Sequence, residues 1–211
     1  MFDKILKFIL PHRCCRCGKI GASLCDCCKN YILKTQKHDK KLTNWQILNV
    51  ELRIFGWRRG LLAKLVDNYK FHLQRELATP LAELLANLLA DLPGKVVVVS
   101  IPTTCLHNRQ RGFDHMKLIG KELARLLGAD YRATLARQHQ VSQRGLSRTS
   151  RLKNAKGSFA LALPVVSDVT YVVIDDVFTT GATMLEATKL LKQAGAKRVI
   201  AAVICRQPAK T

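Results

Sequence analysis

The sequence predicts an α/β fold in which a parallel sheet follows a small amino-terminal cysteine module. Three continuous apolar runs indicate the sheet: VVVVSIP (96–102), YVVID (171–175) and RVIAAVIC (198–205). Segments with helical spacing of apolar residues lie between them, near 115–127 and at 182–194. Apolar strands that alternate with helices are typical of a parallel sheet covered on both faces. We therefore expect a cysteine module with a basic linker at 1–50 and an α/β domain at 51–211.

Six of the eight cysteines fall between positions 14 and 28, in the stretch CCRCGKIGASLCDCC. Two C-x-x-C pairs, Cys14/Cys17 and Cys25/Cys28, can each chelate a metal, and the short linker brings them together. Four thiolates suit a closed tetrahedral site. The sequence therefore predicts one structural Zn²⁺ in the amino-terminal module.

Other roles for the cysteines are open. Cys15 and Cys27 could each replace a neighbour as ligand, and disulfides are the alternative to a metal site. The start of the chain, MFDKILKFILP, is too short and too charged for a secretory signal. We therefore expect a reducing compartment, where disulfides are rare. Cys105 and Cys205 are predicted to be buried small apolar residues rather than nucleophiles.

The chain carries a large positive charge, because 35 Lys and Arg face 15 Asp and Glu for a net charge of +20. This excess favours a polyanionic partner, namely nucleic acid, a phosphorylated ligand or an anionic membrane surface; a basic protein without such a partner is the alternative. No apolar run reaches the roughly 18–20 residues that span a bilayer. We expect a cytoplasmic protein without a transmembrane segment. The apolar face of residues 2–9 predicts a docking helix, or a contact with the inner face of the cytoplasmic membrane.

The region between the cysteines and the first apolar run has two parts. The polar, Lys-rich stretch 29–50 is interpreted as a linker. An aromatic and basic segment follows, with IFGWRRG and YKFH, and then a Leu/Ala-rich helix from Thr79 to about Leu92. Trp45, Phe55 and Trp57 could stack on nucleobases, although a core position is the alternative for each.

The stretch VVIDDVFTTGAT (172–183) predicts a ligand site. Ligands of open parallel sheets sit at the carboxyl ends of strands, where Asp175 and Asp176 are expected. The turn 179–183 presents backbone N–H groups and hydroxyls at a helix N-terminus, which favours a phosphate. Two carboxylates would repel that phosphate unless they face other groups, and a ribose diol donates hydrogen bonds to carboxylates. The predicted ligand is therefore a 5-phosphorylated ribose.

This spacing closely resembles the phosphoribosyl pyrophosphate (PRPP) motif of type I phosphoribosyltransferases. IPTTCLHNRQRGFDHMKLIG (101–120) and VSQRGLSRTSRLKNAKGSF (141–159) resemble signatures of the ComF family, and of its ComFC group in particular. These are competence-associated proteins with a phosphoribosyltransferase-like domain. The amino-terminal C-x-x-C pair and VDNYKFH, with Lys70 and Phe71, fit the same family. Asp114 and His115 depart from it, because the family usually has Asn-Gln there.

The resemblance implies a type I phosphoribosyltransferase-like domain that binds PRPP. The loop after the first core strand would bind pyrophosphate through backbone amides, beside two arginines that suit phosphate, a nucleic-acid backbone or a surface ion pair. Transfer would also require Mg²⁺ bridging pyrophosphate and diol. Thr179 stands where enzymes of 6-oxopurines carry an aspartate, which argues against that chemistry and leaves other acceptors open. The predicted PRPP-binding residues are Ser100, Ile101, Pro102, Thr103, Thr104, Arg109, Arg111, Asp175, Asp176, Val177, Phe178, Thr179, Thr180, Gly181, Ala182 and Thr183.

The segment 137–156 is basic and has no acidic residue. The resemblance implies that a mobile flap over PRPP lies here. Its cations could serve pyrophosphate, single-stranded DNA or both, and a solvated face is the alternative. Basic zones around one pocket fit a groove that tracks a nucleic-acid backbone better than a site that reads bases. The predicted DNA-binding residues are Arg137, Arg144, Arg148, Arg151 and Lys153.

Three functions are open from the sequence. The favoured one is a competence protein needed for natural transformation, which handles incoming single-stranded DNA on the cytoplasmic side and binds a PRPP-like ligand. The second is an active phosphoribosyltransferase with an unidentified acceptor. The third is an adaptor whose zinc module docks to another DNA-uptake protein at the inner membrane, with a relic pocket. The intact DD and TTGAT argue against a relic, because drift would damage a phosphate cradle.

Overall fold

The structure is a computed structural model, and it describes residues 12–36, 50–104, 109, 111–138 and 157–208. Several predictions lie outside these residues. They concern the amino-terminal docking helix, Trp45, Cys105 and most of the basic segment, including Arg144, Arg148, Arg151 and Lys153.

A five-stranded parallel sheet forms the centre of the described structure. Its strands are β1 (Glu51–Trp57), β2 (Val96–Ser100), β3 (Asp130–Tyr131), β6 (Thr170–Phe178) and β7 (Arg198–Arg206). In space they follow the order β1, β7, β6, β2 and β3. A separate antiparallel pair joins β4 (Leu135–Arg137) to β5 (Phe159–Leu161).

The described helices are α1 (Asp26–Thr35), α2 (Gly60–Phe71), α3 (Ala78–Leu88), α4 (His115–Leu127) and α5 (Ala182–Gln193), and a 3₁₀ turn (Arg75–Leu77) leads into α3. The boundaries of α4 follow from its caps. The Asp114 carboxylate accepts a hydrogen bond from the Lys117 N–H at 3.1 Å, and Gly128 ends the helix with φ 61°. Within the described residues, no helix is long and apolar enough to cross a membrane.

Helices cover both faces of the sheet. On one face α2, α3 and α4 bury an apolar cluster that includes Leu65, Leu85 and Ile119. On the other face α5 packs through apolar residues such as Met184 and Leu191. The predicted parallel sheet with two covered faces is therefore confirmed.

The amino-terminal module packs against the first of these faces. Cys14, Leu24, Cys28 and Ile32 belong to the same buried cluster as the apolar residues of α2 and α3. The apolar core of the module is thus continuous with that of the α/β domain. The division of the chain at residue 50 stays a prediction.

Most of the predicted elements form, and several boundaries differ. Residues 29–50 are not wholly a linker, because α1 continues to Thr35. The helix predicted to run to about Leu92 ends at Leu88. The strand predicted to end at Asp175 continues to Phe178, since β6 keeps pairing with β7 beyond the two aspartates. The prediction that Cys205 is a buried apolar residue is confirmed.

The close contact between α4 and β3 leaves no room for a side chain at Gly120. A Cβ there would lie 2.6 Å from Tyr131 Cε2, and the Tyr131 hydroxyl is hydrogen-bonded to Ser100 Oγ at 2.8 Å. We expect Gly120→Ala to lower the free energy of unfolding by about 1–3 kcal/mol, as overpacking usually does, despite the helix propensity of alanine. Urea denaturation measures this loss. Lys121→Ala, on the exposed side of α4, is the control, and equal stability of the two variants would contradict the prediction.

Candidate ribose-phosphate site and candidate metal centre

The two halves of the predicted ligand site lie at the carboxyl edge of the sheet. A cleft lies between the end of β2, the start of α4 and the end of β6. A smaller cup lies in the turn between β6 and α5. Asp175 and Thr183 line both, so the cleft and the cup adjoin.

The cup is formed by the start of α5. Gly181 adopts φ 76° at the N-cap, a left-handed conformation that favours glycine. Thr179, Gly181, Ala182 and Thr183 line the cup. Because the first N–H groups of a helix lack intrahelical partners, this cup can hold a phosphate.

The Asp176 carboxylate is buried and binds two side chains. Its side chain is 8% exposed, and its Oδ2 lies 2.8 Å from Lys70 Nζ and 2.8 Å from His115 Nε2. Burial alone would raise the pKa of this carboxyl, but Lys70 and His115 outweigh burial and hold the pKa well below its usual range. Asp176 lines the cleft, but its carboxylate is buried and already bound by Lys70 of α2 and His115 of α4; its contact with a ligand stays a prediction.

Arg111 fixes the orientation of the His115 ring. Arg111 Nη1 lies 2.9 Å from His115 Nδ1. A guanidinium has only donors, so Nδ1 accepts and Nε2 carries the hydrogen that is donated to Asp176. The Thr103 hydroxyl lies 3.2 Å from both His115 Nδ1 and Asp114 Oδ1. The Asp-His pair that departs from the family pattern therefore caps α4 through Asp114 and binds the buried carboxylate through His115.

Asp175 is the carboxyl that faces both the cleft and the cup. Burial, and then the charge of Asp176, raise its pKa to about 7. One of its oxygens accepts a hydrogen bond from the Asp176 N–H at 2.9 Å. A carboxyl with few donors around it is suited to accept hydrogen bonds from a ligand diol.

Three cations line the cleft: Lys70, Arg111 and Arg137. Arg137 Nε donates to the Pro102 carbonyl at 3.2 Å, and burial lowers the pKa of its guanidinium. The sequence groups Arg137 with the DNA-binding residues, whereas the structure places it in the cleft; its DNA role stays a prediction. Arg109 is exposed and is not among the residues that line the cleft.

Of the other predicted pyrophosphate residues, Ile101, Pro102, Thr103 and Thr104 line the cleft, and Ser100 is buried against Tyr131. Lys70 and His115 are site residues that the sequence patterns do not predict. Both stand in segments that resemble the family. Lys70 directly follows the buried Tyr69 in α2, and His115 is the first residue of α4. The Tyr69 hydroxyl donates to the His115 carbonyl at 2.7 Å. An isolated lysine at a helix end carries no signal that it binds a distant carboxylate.

The four cysteines of the predicted metal centre converge. The Sγ atoms of Cys14, Cys17, Cys25 and Cys28 all lie within 4.8 Å of one another, and those of Cys17 and Cys25 are 3.6 Å apart. A tetrahedral zinc with Zn–S bonds of about 2.3 Å places its sulfurs about 3.8 Å apart. The cluster can therefore hold a metal ion of this size, and among the described residues Cys15 and Cys27 are not part of it.

The surroundings of the cysteines also suit a metal. Burial disfavours the Cys14 thiolate, but backbone N–H groups of Cys17, Cys25 and Arg16 lower the pKa of Cys14 to about 6. Cys25 is the N-cap residue of α1, so the positive end of the helix lies beside the second pair. The Cys14 thiolate is thus stabilised by its own loop, whereas burial and the neighbouring thiols raise the pKa of Cys28 to about 12, so this thiol would need the cation itself to become a thiolate.

Comparison with known proteins assigns the chain. Residues 70–211 match the family described as phosphoribosyl transferase domain. The chain is 35% identical over 153 residues to DNA utilization protein YhgH of Salmonella typhi. This match covers 69% of this chain and 67% of that protein. It is 29% identical over 197 residues to Competence protein F of Haemophilus influenzae. This match covers 87% of this chain and 81% of that protein. This chain belongs to the ComF family. The predicted type I phosphoribosyltransferase-like domain is confirmed.

Among solved structures, adenine phosphoribosyltransferase from Leishmania tarentolae resembles this ComF-family chain with a TM-score of 0.46 and 12% identity. The match covers 74% of this chain and 91% of that one.

The raised pKa of Asp175 predicts a pH-dependent effect of Asp175→Asn on stability. Between about pH 4, near the pKa of an unfolded aspartate, and about pH 7, the folded protein holds a proton that the unfolded chain releases. This carboxyl therefore destabilises the fold increasingly as the pH rises through that window. We expect the variant to be more stable than the wild type by at least about 1 kcal/mol at pH 8, with the gain shrinking towards pH 5.

Chemical denaturation at both pH values measures this difference. Asp168→Asn is the control. Asp168 is an exposed residue just before the start of β6, at the end of the strand opposite Asp175, and it pairs with Lys197 at 3.0 Å. A stability difference for Asp175→Asn that is the same at both pH values would contradict the prediction.

Proposed function

We propose that the cleft and the cup together bind PRPP or a closely related ribose phosphate. The observation that carries this proposal is the shared lining: Asp175 lies between a helix-capped cup and a cleft with three cations. A 5-phosphorylated ribose with a diphosphate has two anionic ends and a diol between them. Its charges and hydroxyls match that order of groups.

In this arrangement the 5-phosphate lies in the cup against the N–H groups at the start of α5. The ribose hydroxyls donate to Asp175. The diphosphate lies in the cleft, where the loop after β2 and the side chains of Lys70, Arg111 and Arg137 supply donors and positive charge. Movement of Arg111 from His115 to the diphosphate would leave the buried Asp176 still bound to Lys70.

Mg²⁺ fits this proposal as a companion of the ligand rather than as a resident ion. The cleft carboxylates are Asp175 and Asp176, and Asp176 already accepts from Lys70 and His115. Mg²⁺ commonly takes most of its ligands from water and substrate phosphates. Diphosphate and ribose oxygens would hold it here, and it would neutralise charge on the diphosphate.

Transfer to an acceptor is the second candidate function. The intact cup favours it, because the residues that hold PRPP in this arrangement are those that any transfer would use. Thr179, which lines the cup, offers a hydroxyl rather than a carboxylate base. The acceptor would therefore need no proton removal at that position.

The biological role that we propose is handling of single-stranded DNA during natural transformation, on the cytoplasmic side. The names of two relatives, a competence protein and a DNA utilization protein, support it. The net charge of +20 supports it as well, since phosphate contacts dominate binding to nucleic acid. Contacts with other DNA-uptake proteins at the inner membrane belong to the same proposal, with the cysteine module as the docking element.

We also propose that the four-cysteine cluster binds one structural Zn²⁺. Cys14→Ser or Cys28→Ser should remove the metal and lower the melting temperature, because both residues are buried in the cluster that α2 and α3 share. Metal content by mass spectrometry and thermal unfolding measure the two effects. Cys27→Ser is the control and should keep about one zinc per chain. Protein purified under reducing conditions with no metal would contradict the proposal.

The ligand proposal is tested by calorimetry with PRPP in the presence of Mg²⁺. At pH 8, above the pKa of about 7 of Asp175, Asp175→Asn should weaken binding at least about tenfold, because hydrogen bonds to a charged acceptor contribute about 1.5–3 kcal/mol. Gly181→Val should also weaken it, since a β-branched residue strains the left-handed N-cap and fills the cup. Asp168→Asn, at the other end of the strand, should bind normally. Equal affinity of wild type and Asp175→Asn would show that the ribose assignment is wrong.

A further inference from the structure

A row of arginines and aromatic rings extends the cup across the carboxyl edge of the sheet. Phe178, Arg206 and Trp57 end the neighbouring strands β6, β7 and β1, and they stand in one register row. Phe178 lines the cup, so the row begins there. Trp57, at the far end, is 36% exposed.

Arginines face both rings of this row. The guanidinium carbon of Arg206 lies 5.4 Å from the centroid of the Trp57 ring and 5.9 Å from that of Phe178. Arg59 places its guanidinium carbon 5.8 Å from the same Trp57 centroid. These are cation–π distances. Arginine over a ring keeps donors at the edge of its planar group for a phosphate.

The backbone holds the row in register. The Arg58 N–H donates to the Arg206 carbonyl and the Gln207 N–H donates to the Phe178 carbonyl, both at 2.9 Å. Arg58 itself is ion-paired with Asp67. In the described part of the chain, Arg59 and Arg206 have no carboxylate within salt-bridge distance. Among the described residues, two guanidinium groups therefore lie without a carboxylate partner beside an exposed indole.

We propose that this row, Trp57–Arg206–Phe178 with Arg59, is a binding track for single-stranded nucleic acid. A nucleobase stacks on the open part of Trp57, and backbone phosphates bind Arg59 and Arg206. Aromatic rings alternating with cations along a groove suit an unpaired strand, because stacking needs only the face of a base. A duplex does not fit, since its base faces are covered by neighbouring bases. This track names a surface for the DNA role proposed above and rests on that role.

Fluorescence of Trp57 tests the contact directly. The chain has two tryptophans, so Trp45→Phe makes Trp57 the single reporter. Addition of an oligothymidylate should quench its emission along the same curve that fluorescence anisotropy gives for a labelled oligonucleotide. A duplex of equal length should quench it much less. Unchanged emission while anisotropy shows binding would overturn the proposal.

Affinity measurements at several salt concentrations test the arginines. Arg59→Gln and Arg206→Gln should each weaken binding and make the slope of log K against log salt shallower by about 0.7. Trp57→Ala should weaken binding about tenfold and Trp57→Phe should retain most of it. Arg198→Gln is the matched control, because Arg198 is an exposed arginine at the opposite end of β7. Equal effects of Arg198→Gln and Arg206→Gln would show a general charge effect and overturn the proposal.

Two further variants separate this proposal from the proposed function. Asp175→Asn should lose PRPP and keep the oligonucleotide. If only Arg144, Arg148 and Arg151, replaced together by Gln, reduce DNA binding and Trp57 emission stays constant, the DNA role stands and the track is overturned. If no oligonucleotide binds at all, the track and the DNA role fail together while the PRPP assignment is untouched. An oligoribonucleotide in parallel shows whether the sugar matters, and equal binding of both supports the track as proposed.

Discussion

The buried carboxylate of Asp176 is the point at which the elements around the cleft are joined. Lys70 at the end of α2 and His115 at the start of α4 both bind it at 2.8 Å. A buried charge is tolerated only when its partners are well placed, and removal of one partner is strongly destabilising. This carboxylate therefore fixes two helix ends relative to the carboxyl edge of the sheet.

That constraint also explains how two acids can stand beside the cup that we propose for a phosphate. Because the ammonium of Lys70 compensates the charge of Asp176 and His115 donates a hydrogen bond to it, the second aspartate adds little repulsion towards an anion. Asp175, by contrast, has a pKa raised to about 7 and carries less than a full charge near neutrality. Asp176 is therefore a carboxylate that is already bound within the protein. Asp175 is a carboxyl that can accept hydrogen bonds from a diol or bind a proton. The raised pKa of Asp175 costs stability, which is common at functional sites and fits the binding role that we propose for this carboxyl.

Local sequence patterns were sufficient for the parts of the fold that depend on local physics. Strands covered on both faces must be apolar throughout, and a cup for a phosphate needs a residue such as Gly181 with positive φ, so both are visible in the sequence. The first strand, ELRIFGW, lacks such a continuous apolar pattern, because it contains Arg53. The charge of Arg53 is compensated by Glu51, by Asp91 and by the Leu88 carbonyl, of which two lie 35–38 positions away.

The same reason limits what the sequence shows of the site. The four cysteines converge within a span of 15 residues, and spacing alone identified them. Lys70 and His115 reach Asp176 only through the packing of α2 and α4 on the sheet, and His115 is 61 positions from its partner. The aromatic–arginine row depends on the register of three strands. No local pattern contains that register.

The order of the strands has a consequence for how the molecule is made. β7 is the last of the described strands, yet it lies between β1 and β6 and pairs with both along most of its length. During synthesis β1 has no partner in the described sheet until residues 198–206 emerge, so its apolar surface stays uncovered while all the residues between the two strands are made. Pairing between distant segments is slow and leaves strand edges open to aggregation. The nascent chain is therefore an expected client of chaperones, and the amino-terminal cysteines can acquire a metal long before the sheet closes.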